Sequence, residues 1–223
     1  MTFHFVTLFP ELILPYFKDS ILSRAVANNL ISLHTHNPRD YTKEKHRKTD
    51  DTISGGGSGM LFSPQPMFDC LAPLKKTHII FLSPTGKPFS QKDAKNLAKK
   101  EEITFVCGRY EGFDERIVEE FADEIYSIGD FVLTGGELPA LCMCDAISRN
   151  IGGVLGNEDA TKEESFESGL VEYPSFTKPA TYLGRKTPSV FLEGNHKKID
   201  QARHEMALCK TKFARVDLYL DNK

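Results

Sequence analysis

Short apolar runs alternate with amphipathic stretches along the first two thirds of the chain. Runs rich in β-branched and aromatic residues predict strands at residues 3–8, 30–36, 78–82, 103–107 and 124–128. The stretches between them have the apolar spacing of helices, which are predicted at residues 10–27, 67–74, 90–100, 114–121 and 137–150. This alternation of strands and helices predicts an α/β fold with a mostly parallel sheet.

Local signals place the ends of some of these elements. Pro10 suits the first turn of the first helix, and Asn28 and Asn29 are expected to end it. Thr134 and Glu137 have the spacing of a capping box at the start of the last predicted helix. Residues 37–59 show no apolar periodicity and predict a long loop, which in a compact domain is usually functional or mobile.

The character of the chain changes after Asn150. A stretch rich in glycine and acidic residues follows, then a stretch with several prolines, and then a basic segment with helical spacing at residues 196–215. We therefore predict a main domain at residues 1–156, a linker at 157–170 and a small C-terminal domain at 171–223.

Composition narrows the class of protein without identifying it. The 223 residues are 40% apolar, which is enough for a substantial core, and the formal net charge is −3, so any nucleic-acid surface must be local. The five cysteines are odd in number and form no C-x-x-C pair, which indicates reduced thiols. No apolar run approaches the length of a membrane span. We expect a cytoplasmic protein.

Three polar loops, each following a predicted strand, are the most informative features. They are Leu82-Ser-Pro-Thr-Gly-Lys87, Cys107-Gly-Arg-Tyr-Glu-Gly-Phe-Asp-Glu-Arg116 and Ser127-Ile-Gly-Asp-Phe-Val-Leu-Thr-Gly-Gly-Glu-Leu-Pro-Ala140. None has the pattern of a dinucleotide or nucleoside-triphosphate phosphate loop. Because the carboxyl ends of parallel strands meet at one edge of a sheet, the loops are expected to form one ligand site built largely from backbone. For any single loop the alternative is an ordinary glycine turn.

These strings resemble the bacterial tRNA (guanine-N1)-methyltransferases of the TrmD type, within the SPOUT methyltransferases. The resemblance runs from about Phe3 to Arg203. It implies a deep trefoil knot, an obligate homodimer with its active site at the interface, and S-adenosylmethionine as methyl donor. It also implies methylation at N1 of the guanine at tRNA position 37, just 3′ of the anticodon. Magnesium is a further expectation, although the sequence shows no dedicated metal cage.

S-adenosylmethionine has no phosphate, so it needs backbone donors and acceptors and apolar walls rather than a phosphate loop. Glycines let the backbone approach such a ligand closely. The residues expected to contact it are Leu82, Ser83, Pro84, Gly108, Tyr110, Glu111, Ile128, Gly129, Asp130, Phe131, Val132, Leu133, Gly135, Gly136 and Pro139.

A local surplus of basic residues at positions 39–48 is the candidate nucleic-acid surface. The resemblance extends it, and the residues expected to meet tRNA are Arg24, Arg39, His46, Arg47, Lys48, Asp50 and Gly59. Ser58 stands where we expect a proline. The alternative is a solvated charged face. A second basic stretch lies in residues 197–215, and the C-terminal region is shorter than expected, so its grip on tRNA is expected to be weaker.

Methylation at guanine N1 needs a base, because N1 carries a proton. It also needs a cation or hydrogen-bond donor that stabilises the negative charge developing on O6. By resemblance, Arg149 matches the catalytic arginine. Glu164, aligned on Ser165-Phe166, takes the position of an aspartate general base, and Glu163 is the alternative register. Glu111 and Asp130 are further carboxylates beside the loops.

Three alternatives remain open from the sequence. The chain could be an RNA-binding module without catalysis, although Arg149 and the retained loop strings argue against that. It could methylate another RNA. His34 and His36 share one strand face and could suggest a metal pair, but packing or solvent contact is the simpler interpretation.

Overall fold

The structure is a computed structural model that describes residues 1–157 and 164–221. The chain divides into two compact units, residues 1–156 and 157–223. In the described ranges, no helix is both long enough and apolar enough to cross a membrane.

The first unit is built on a five-stranded sheet in the order β2-β1-β6-β5-β7. Every neighbouring pair in this sheet is parallel. The α/β class and the mostly parallel sheet are therefore confirmed. The strands are β1 (Thr2–Val6), β2 (Ser32–His36), β5 (His78–Pro88), β6 (Glu102–Cys107) and β7 (Glu124–Ser127), while β3 (Asp50–Thr52) and β4 (Met60–Phe62) form a separate antiparallel pair.

Helices cover both faces of this sheet. They are α1 (Pro10–Ile13), α2 (Ser20–Ala27), α3 (Pro64–Leu71), α4 (Gln91–Leu97), α5 (Glu115–Phe121) and α6 (Glu137–Ser148). Successive strand residues point to opposite faces. Phe3 and Phe5 therefore enter one apolar cluster with residues of α2, α4 and α6. Val6 enters another cluster with residues of α3 and α5.

The prediction of one helix at residues 10–27 is wrong. The segment forms α1, a 3-10 turn at Leu14–Lys18, and α2. Pro15 has no backbone N–H and cannot continue a helix ladder. Ser20 then has a positive φ of 63°, and its N–H donates to the Asp19 carboxylate at 2.6 Å. Both features break the helix at a point where apolar spacing gives no signal.

The prediction of an unbroken loop at residues 37–59 is also wrong in part. A 3-10 turn occupies Pro38–Asp40, and β3 pairs with β4 beyond the glycine run. Strands this short are set by pairing partners rather than by periodicity. A similar effect lengthens β5, because Leu82 and Lys87 both pair with Tyr126 across an irregularity. The expected polar loop at residues 82–87 therefore lies within the strand.

The second unit is small and mainly helical. It contains β8 (Thr181–Tyr182), β9 (Arg185–Lys186), a 3-10 turn at Ser189–Phe191, α7 (His196–Ala214) and α8 (Val216–Asp221). Helix α7 covers nearly all of the predicted basic helix. Asn195 caps it by accepting from the Lys198 N–H at 3.3 Å. The acidic residues Glu158, Asp159 and Glu163 of the predicted linker lie outside the described residues.

Candidate functional site

A cavity of about 380 Å³ opens at the carboxyl ends of β6 and β7 and beside residues 81–85, where the pairing of β5 is irregular. Its volume falls in the usual range of small-molecule sites. The residues expected from the sequence to hold the cofactor all line it, with the exception of Asp130, which is exposed and outside the lining. The cavity thus brings together three loops that are separated in the sequence, as the parallel strand order requires.

The cavity also has lining residues that sequence reasoning did not name: Phe81, Thr85, Arg109, Gly112, Phe113, Glu115, Val118, Ile125, Tyr126, Ser127 and Thr134. Arg109 and Thr134 lie within the quoted strings, so proximity in sequence could have suggested them. Phe81 and Ile125 belong to strands and look like ordinary core positions. The sequence therefore has no signal that they line a cavity.

Two adjacent glycines allow the loop before α6 to pass close to its neighbours. A Cβ on Gly136 would lie 2.7 Å from the Gly108 nitrogen and 2.8 Å from the Cys107 Cα. A Cβ on Gly135 would lie 2.4 Å from Nε of Arg109. Backbone cannot give way as a side chain can. Glycine is therefore required at position 136, whichever ligand the cavity holds, whereas a side chain at position 135 would have to displace the Arg109 and Glu137 side chains.

Glu137, the first residue of α6, is almost completely buried and ion-paired with Arg109. Its Oε2 lies 2.9 Å from Arg109 Nη2, and its Oε1 accepts from the Thr7 hydroxyl at 2.7 Å. The capping box predicted for Thr134 and Glu137 is therefore wrong. The N-cap residue is Gly136, without a side-chain cap, because the Glu137 carboxylate is committed to partners from other elements.

Cys107 ends β6 beside the cavity but is unsuited to nucleophilic chemistry. Burial raises the pKa of its thiol well above the usual value, and the Glu137 carboxylate raises it further, with Arg109 opposing. The thiol therefore stays protonated near neutral pH. It is best regarded as a core side chain.

The loop after β6 carries backbone strain at the cavity and supports a neighbouring hairpin. Tyr110 has a positive φ of 59°, which is uncommon for a residue with a side chain. Its ring packs edge-on against Phe62 of β4, with 5.5 Å between centroids. The Glu111 N–H donates to the Met60 carbonyl at 2.9 Å, and Gly59 packs against the Glu111 side chain. The β3–β4 hairpin is thereby fastened to the cavity loop.

Residues 39–48, here called the basic segment, form an exposed surface beside this hairpin. Arg47 pairs with Asp40, and its Nε donates to the Arg39 carbonyl at 3.1 Å. Lys48 lies 3.6 Å from Asp51, and Lys43 lies 3.3 Å from Asp69. These charges are solvated, although acidic neighbours partly balance them.

The other residues expected to meet tRNA occupy several elements. Arg24 is exposed on α2, His46 is exposed in the basic segment, and Asp50 begins β3. Phe9 connects the basic segment with the cavity. The Arg39 guanidinium lies 5.9 Å from the centroid of its ring, and the Arg109 guanidinium lies 4.5 Å from it.

The two candidate catalytic residues are not at the cavity lining. Arg149 caps the carboxyl end of the twelve-residue helix α6, whose opposite end adjoins the cavity. At about 1.5 Å per residue, the helix separates its two ends by roughly 18 Å. Glu164 belongs to the second unit, where it lines a cavity of about 250 Å³ with residues including Tyr173, Arg203 and His204. Glu163 lies outside the described residues.

His34 and His36 have a third histidine beside them that sequence reasoning missed. Strand pairing places His4 opposite His34, and its Nδ1 lies 3.0 Å from His36 Nε2. Glu102 lies 3.4 Å from the other nitrogen of His4. Within residues 1–157 and 164–221, however, no three such side chains are grouped so as to hold a metal ion. The expectation of magnesium gains no support from these residues.

Comparisons with known proteins agree with the resemblance. The sequence model of one family, tRNA (Guanine-1)-methyltransferase TrmD, matches residues 1–221. A tRNA (guanine-N(1)-)-methyltransferase of Campylobacter fetus is 58% identical over 98% of this chain and 94% of its own length. Enzymes of the same name from a Sulfurovum species and Campylobacter jejuni are 56% and 54% identical. The alignment with the Sulfurovum enzyme covers 98% of this chain and 98% of that enzyme, and the alignment with the Campylobacter jejuni enzyme covers 100% of this chain and 99% of that enzyme.

Proposed function

Because the chain belongs to the tRNA (guanine-1)-methyltransferase TrmD family, we propose that it transfers a methyl group from S-adenosylmethionine to N1 of the guanine at tRNA position 37. The observation that carries the proposal is the cavity at the carboxyl ends of β6 and β7, beside the irregular part of β5. Its walls come from the three loops whose sequences carry the family resemblance. The nearly full-length identity to enzymes named for this reaction supports the same conclusion.

The cavity suits S-adenosylmethionine in its chemistry. Its lining combines apolar side chains such as Leu82 and Leu133 with glycine backbone and few charges. When bound, the sulfonium group supplies an activated methyl, so the protein's own task is to orient the donor and prepare the acceptor. Gly135 and Gly136 allow the close loop packing that shapes the cavity. We propose that the other residues of the three loops that are expected from the sequence to contact S-adenosylmethionine also do so.

The acceptor nitrogen must lose its proton for the reaction to proceed. In the proposed mechanism, the Glu164 carboxylate removes the N1 proton, and Arg149 stabilises negative charge that develops on guanine O6. Glu164 is longer than the aspartate expected there by one methylene, so its loop must adjust. A guanine in a single-stranded anticodon loop leaves its stack at modest cost, which favours entry into the cavity.

A homodimer with shared active sites is part of the proposal. Arg149 lies at the far end of α6 from the cavity of its own subunit, so we propose that the partner copy supplies it. Helices α1 and α6 pack together, and the Tyr16 hydroxyl donates to Asp145 at 2.7 Å. Around them are exposed apolar side chains, a common mark of an interface, at Phe9, Leu12, Leu14, Phe131, Val132 and Leu138.

The proposed tRNA surface runs from the basic segment to the cavity. The hairpin of β3 and β4 is hydrogen-bonded to the cavity loop, so a nucleotide held near Gly59 would lie beside Glu111. The trefoil knot and a cytoplasmic location also belong to the proposal. The pairing of β7 with both sides of the β5 irregularity is compatible with a knot. The free cysteines are compatible with a cytoplasmic location.

The direct test is nucleoside analysis by mass spectrometry. Unmodified tRNA is incubated with the protein and S-adenosylmethionine, and 1-methylguanosine is expected at position 37. The control is tRNA in which adenosine replaces that guanosine. Binding of tRNA without methylation would instead support an RNA-binding module. Methylation only of another RNA would support the second alternative.

Subunit mixing tests the shared site. Arg149→Ala and Gly135→Leu are each expected to abolish activity, the first by removing a group given to the partner and the second by closing the cofactor cavity. In randomly mixed dimers, half are heterodimers with one intact site, so about one quarter of wild-type activity should return. No recovery, with heterodimers shown by native mass spectrometry, would place Arg149 in its own subunit's site.

A further inference from the structure

A largely buried polar chain joins three elements and ends at Arg109, in the wall of the candidate cofactor cavity. It begins at Thr7, directly after β1, whose hydroxyl accepts from the Phe9 N–H at 2.9 Å and donates to Glu137 Oε1 at 2.7 Å. It continues from Glu137 to Arg109, with 2.9 Å between Oε2 and Nη2 and 3.3 Å between Oε1 and Nε. The Glu137 side chain is only 3% exposed and that of Arg109 is 19% exposed.

Arg109 is fixed from a second direction as well. Its Nη1 donates to the Thr134 carbonyl at 3.1 Å, and its guanidinium stacks on the Phe9 ring. Arg109 belongs to the loop at residues 108–113, whereas Thr134 belongs to the loop at residues 129–136. These two loops supply much of the cavity lining. The two loops are therefore joined by the Arg109 guanidinium, with several committed donors, in addition to the backbone hydrogen bond from the Gly136 N–H to the Gly108 carbonyl at 2.8 Å.

Stability alone is a poor explanation for this arrangement. A carboxylate taken out of water loses hydration that its partner restores only with good geometry, and well-packed apolar residues often do as well. One hydrogen bond, from Arg109 Nε to Glu137 Oε1, together with the ion-pair contact between Nη2 and Oε2, does however restrict the orientation and separation of the two side chains. The position of this pair, with Arg109 in the cavity wall and Glu137 behind it, points to control of cavity shape.

We infer that Glu137 and Arg109 are positioning residues for the methyl-donor site, and that Thr7 positions Glu137. The chain Thr7–Glu137–Arg109 holds the loops at 108–113 and 129–136 at the separation that the ligand requires. As far as the ligand is concerned, this inference rests on the proposed function.

The first test separates cofactor affinity from general stability. Glu137→Gln keeps the shape but removes the charge, and it is expected to raise both Kd and KM for S-adenosylmethionine roughly tenfold. The KM for tRNA and the kcat should change less than twofold. Thr7→Val should weaken cofactor binding in the same direction, and Thr7→Ser should restore it by returning the hydroxyl. Arg109→Lys keeps the charge without the planar fork and should fall between wild type and Glu137→Gln.

Thr77→Val is the matched control. Thr77 and Thr104 share a buried hydroxyl–hydroxyl contact of 2.6 Å near the amino end of β5, at the opposite end of the sheet from the cavity. Its loss should lower Tm without changing affinity for S-adenosylmethionine. If Thr77→Val weakens cofactor binding as much as Glu137→Gln at equal loss of Tm, the buried chain is only a stability element and the inference fails.

A second test needs no ligand. Hydrogen exchange of the free protein should be faster in Glu137→Gln and Thr7→Val at amides of both loops, with the amides of β1 and β6 unchanged. Unaltered exchange in both loops would overturn the inference even if S-adenosylmethionine binds normally. Faster exchange, in a protein whose wild type does not bind S-adenosylmethionine, would support the positioning role while refuting the proposed function.

Discussion

The cavity and the basic segment both contain ionic groups, yet they hold them in opposite ways. At the cavity, Glu137 and Arg109 are 3% and 19% exposed and have several partners each. In the basic segment, Arg47 and Asp40 are 60% and 63% exposed, and Lys48 is 44% exposed. The first group is protected from water, and the second remains accessible to it.

This difference indicates what each region is suited to do. An exposed ion pair contributes about 0 to 1 kcal/mol, so a phosphate can replace the acidic partner at little cost. A buried pair cannot exchange partners without leaving a charge unpaired, which is strongly unfavourable. The cavity is therefore suited to holding one fixed shape, whereas the basic segment is suited to binding a flexible polyanion.

Loss of the proposed general base should have the largest effect, and it tests whether the cavity lining can support methyl transfer without a carboxylate from elsewhere. Glu164→Gln keeps size and hydrogen-bonding capacity but removes the basic charge. The single-turnover rate should fall by about two to four orders of magnitude, the usual contribution of a positioned general base. Rapid-quench assays with saturating S-adenosylmethionine and tRNA measure this, and the affinities for both ligands should change little.

Two variants control the choice of base. Glu164→Asp should retain substantial activity if the loop adapts to the shorter side chain. Glu163→Gln should be nearly neutral, and a loss there with none in Glu164→Gln would move the register by one residue. Full activity in both glutamine variants would falsify a base at these positions and direct attention to Glu111 or Asp130.

The next effect concerns the fixed shape of the cavity. Gly135→Leu introduces a side chain where Arg109 and Glu137 already lie, so protection by S-adenosylmethionine against heat should disappear. For wild type, ligand at a hundred times its Kd should stabilise by about 2.7 kcal/mol, measurable by calorimetry. Gly152→Leu is the control, because no atom lies within 4 Å of a Cβ there. Protection that persists in Gly135→Leu would place the ligand elsewhere.

A smaller effect is expected in the basic segment. Replacing Arg47 and Lys48 together by alanine should weaken tRNA binding and reduce the slope of log K against log salt by up to about two, if each residue contacts one phosphate. Cofactor affinity should stay the same. Lys99 and Lys100, an exposed pair before β6, provide the matched double-alanine control. Equal salt slopes for both double variants would mean that the segment is only a solvated face.

The smallest effect concerns the histidines, which lie between the two extremes of exposure. Burial lowers the pKa of His4, and the charges of His34 and Lys76 lower it further, whereas Glu102 raises it. Burial, His4 and His34 also lower the pKa of His36. Below the ordinary histidine pKa of about 6.5, the unfolded chain therefore binds more protons, and the free energy of unfolding falls as the pH decreases.

Thermal unfolding across this range measures the effect. His36→Gln should reduce the loss of Tm between pH 6.5 and pH 5 by about 2 °C. The exposed His46→Gln should leave the loss unchanged. An identical pH dependence in wild type and His36→Gln would show that this cluster does not couple folding to pH.

Much of the fold could be predicted because it depends on local patterns. The strands of the main sheet and their mostly parallel arrangement follow from the alternation of short apolar runs with helical stretches, whereas the order of the strands does not. The first helix and the β3–β4 hairpin were not predicted correctly. Ser20 has a backbone conformation that spacing does not encode, and the two short strands of the hairpin are defined by pairing across the glycine run rather than by periodicity. The positions lining the cavity were largely predictable as loops, whereas Phe81 and Ile125 resembled ordinary core residues.

The α/β class, the family and the approach of three polar segments to one edge of a sheet can be read from the sequence, since they follow from periodicity and specific local strings. The partners of Glu137 are set only in the folded chain. From spacing, this residue looked like a helix cap for Thr134, but it is buried against Thr7 and Arg109. Long-range packing sets that choice, because a buried carboxylate must be satisfied by whichever donors the fold brings within reach.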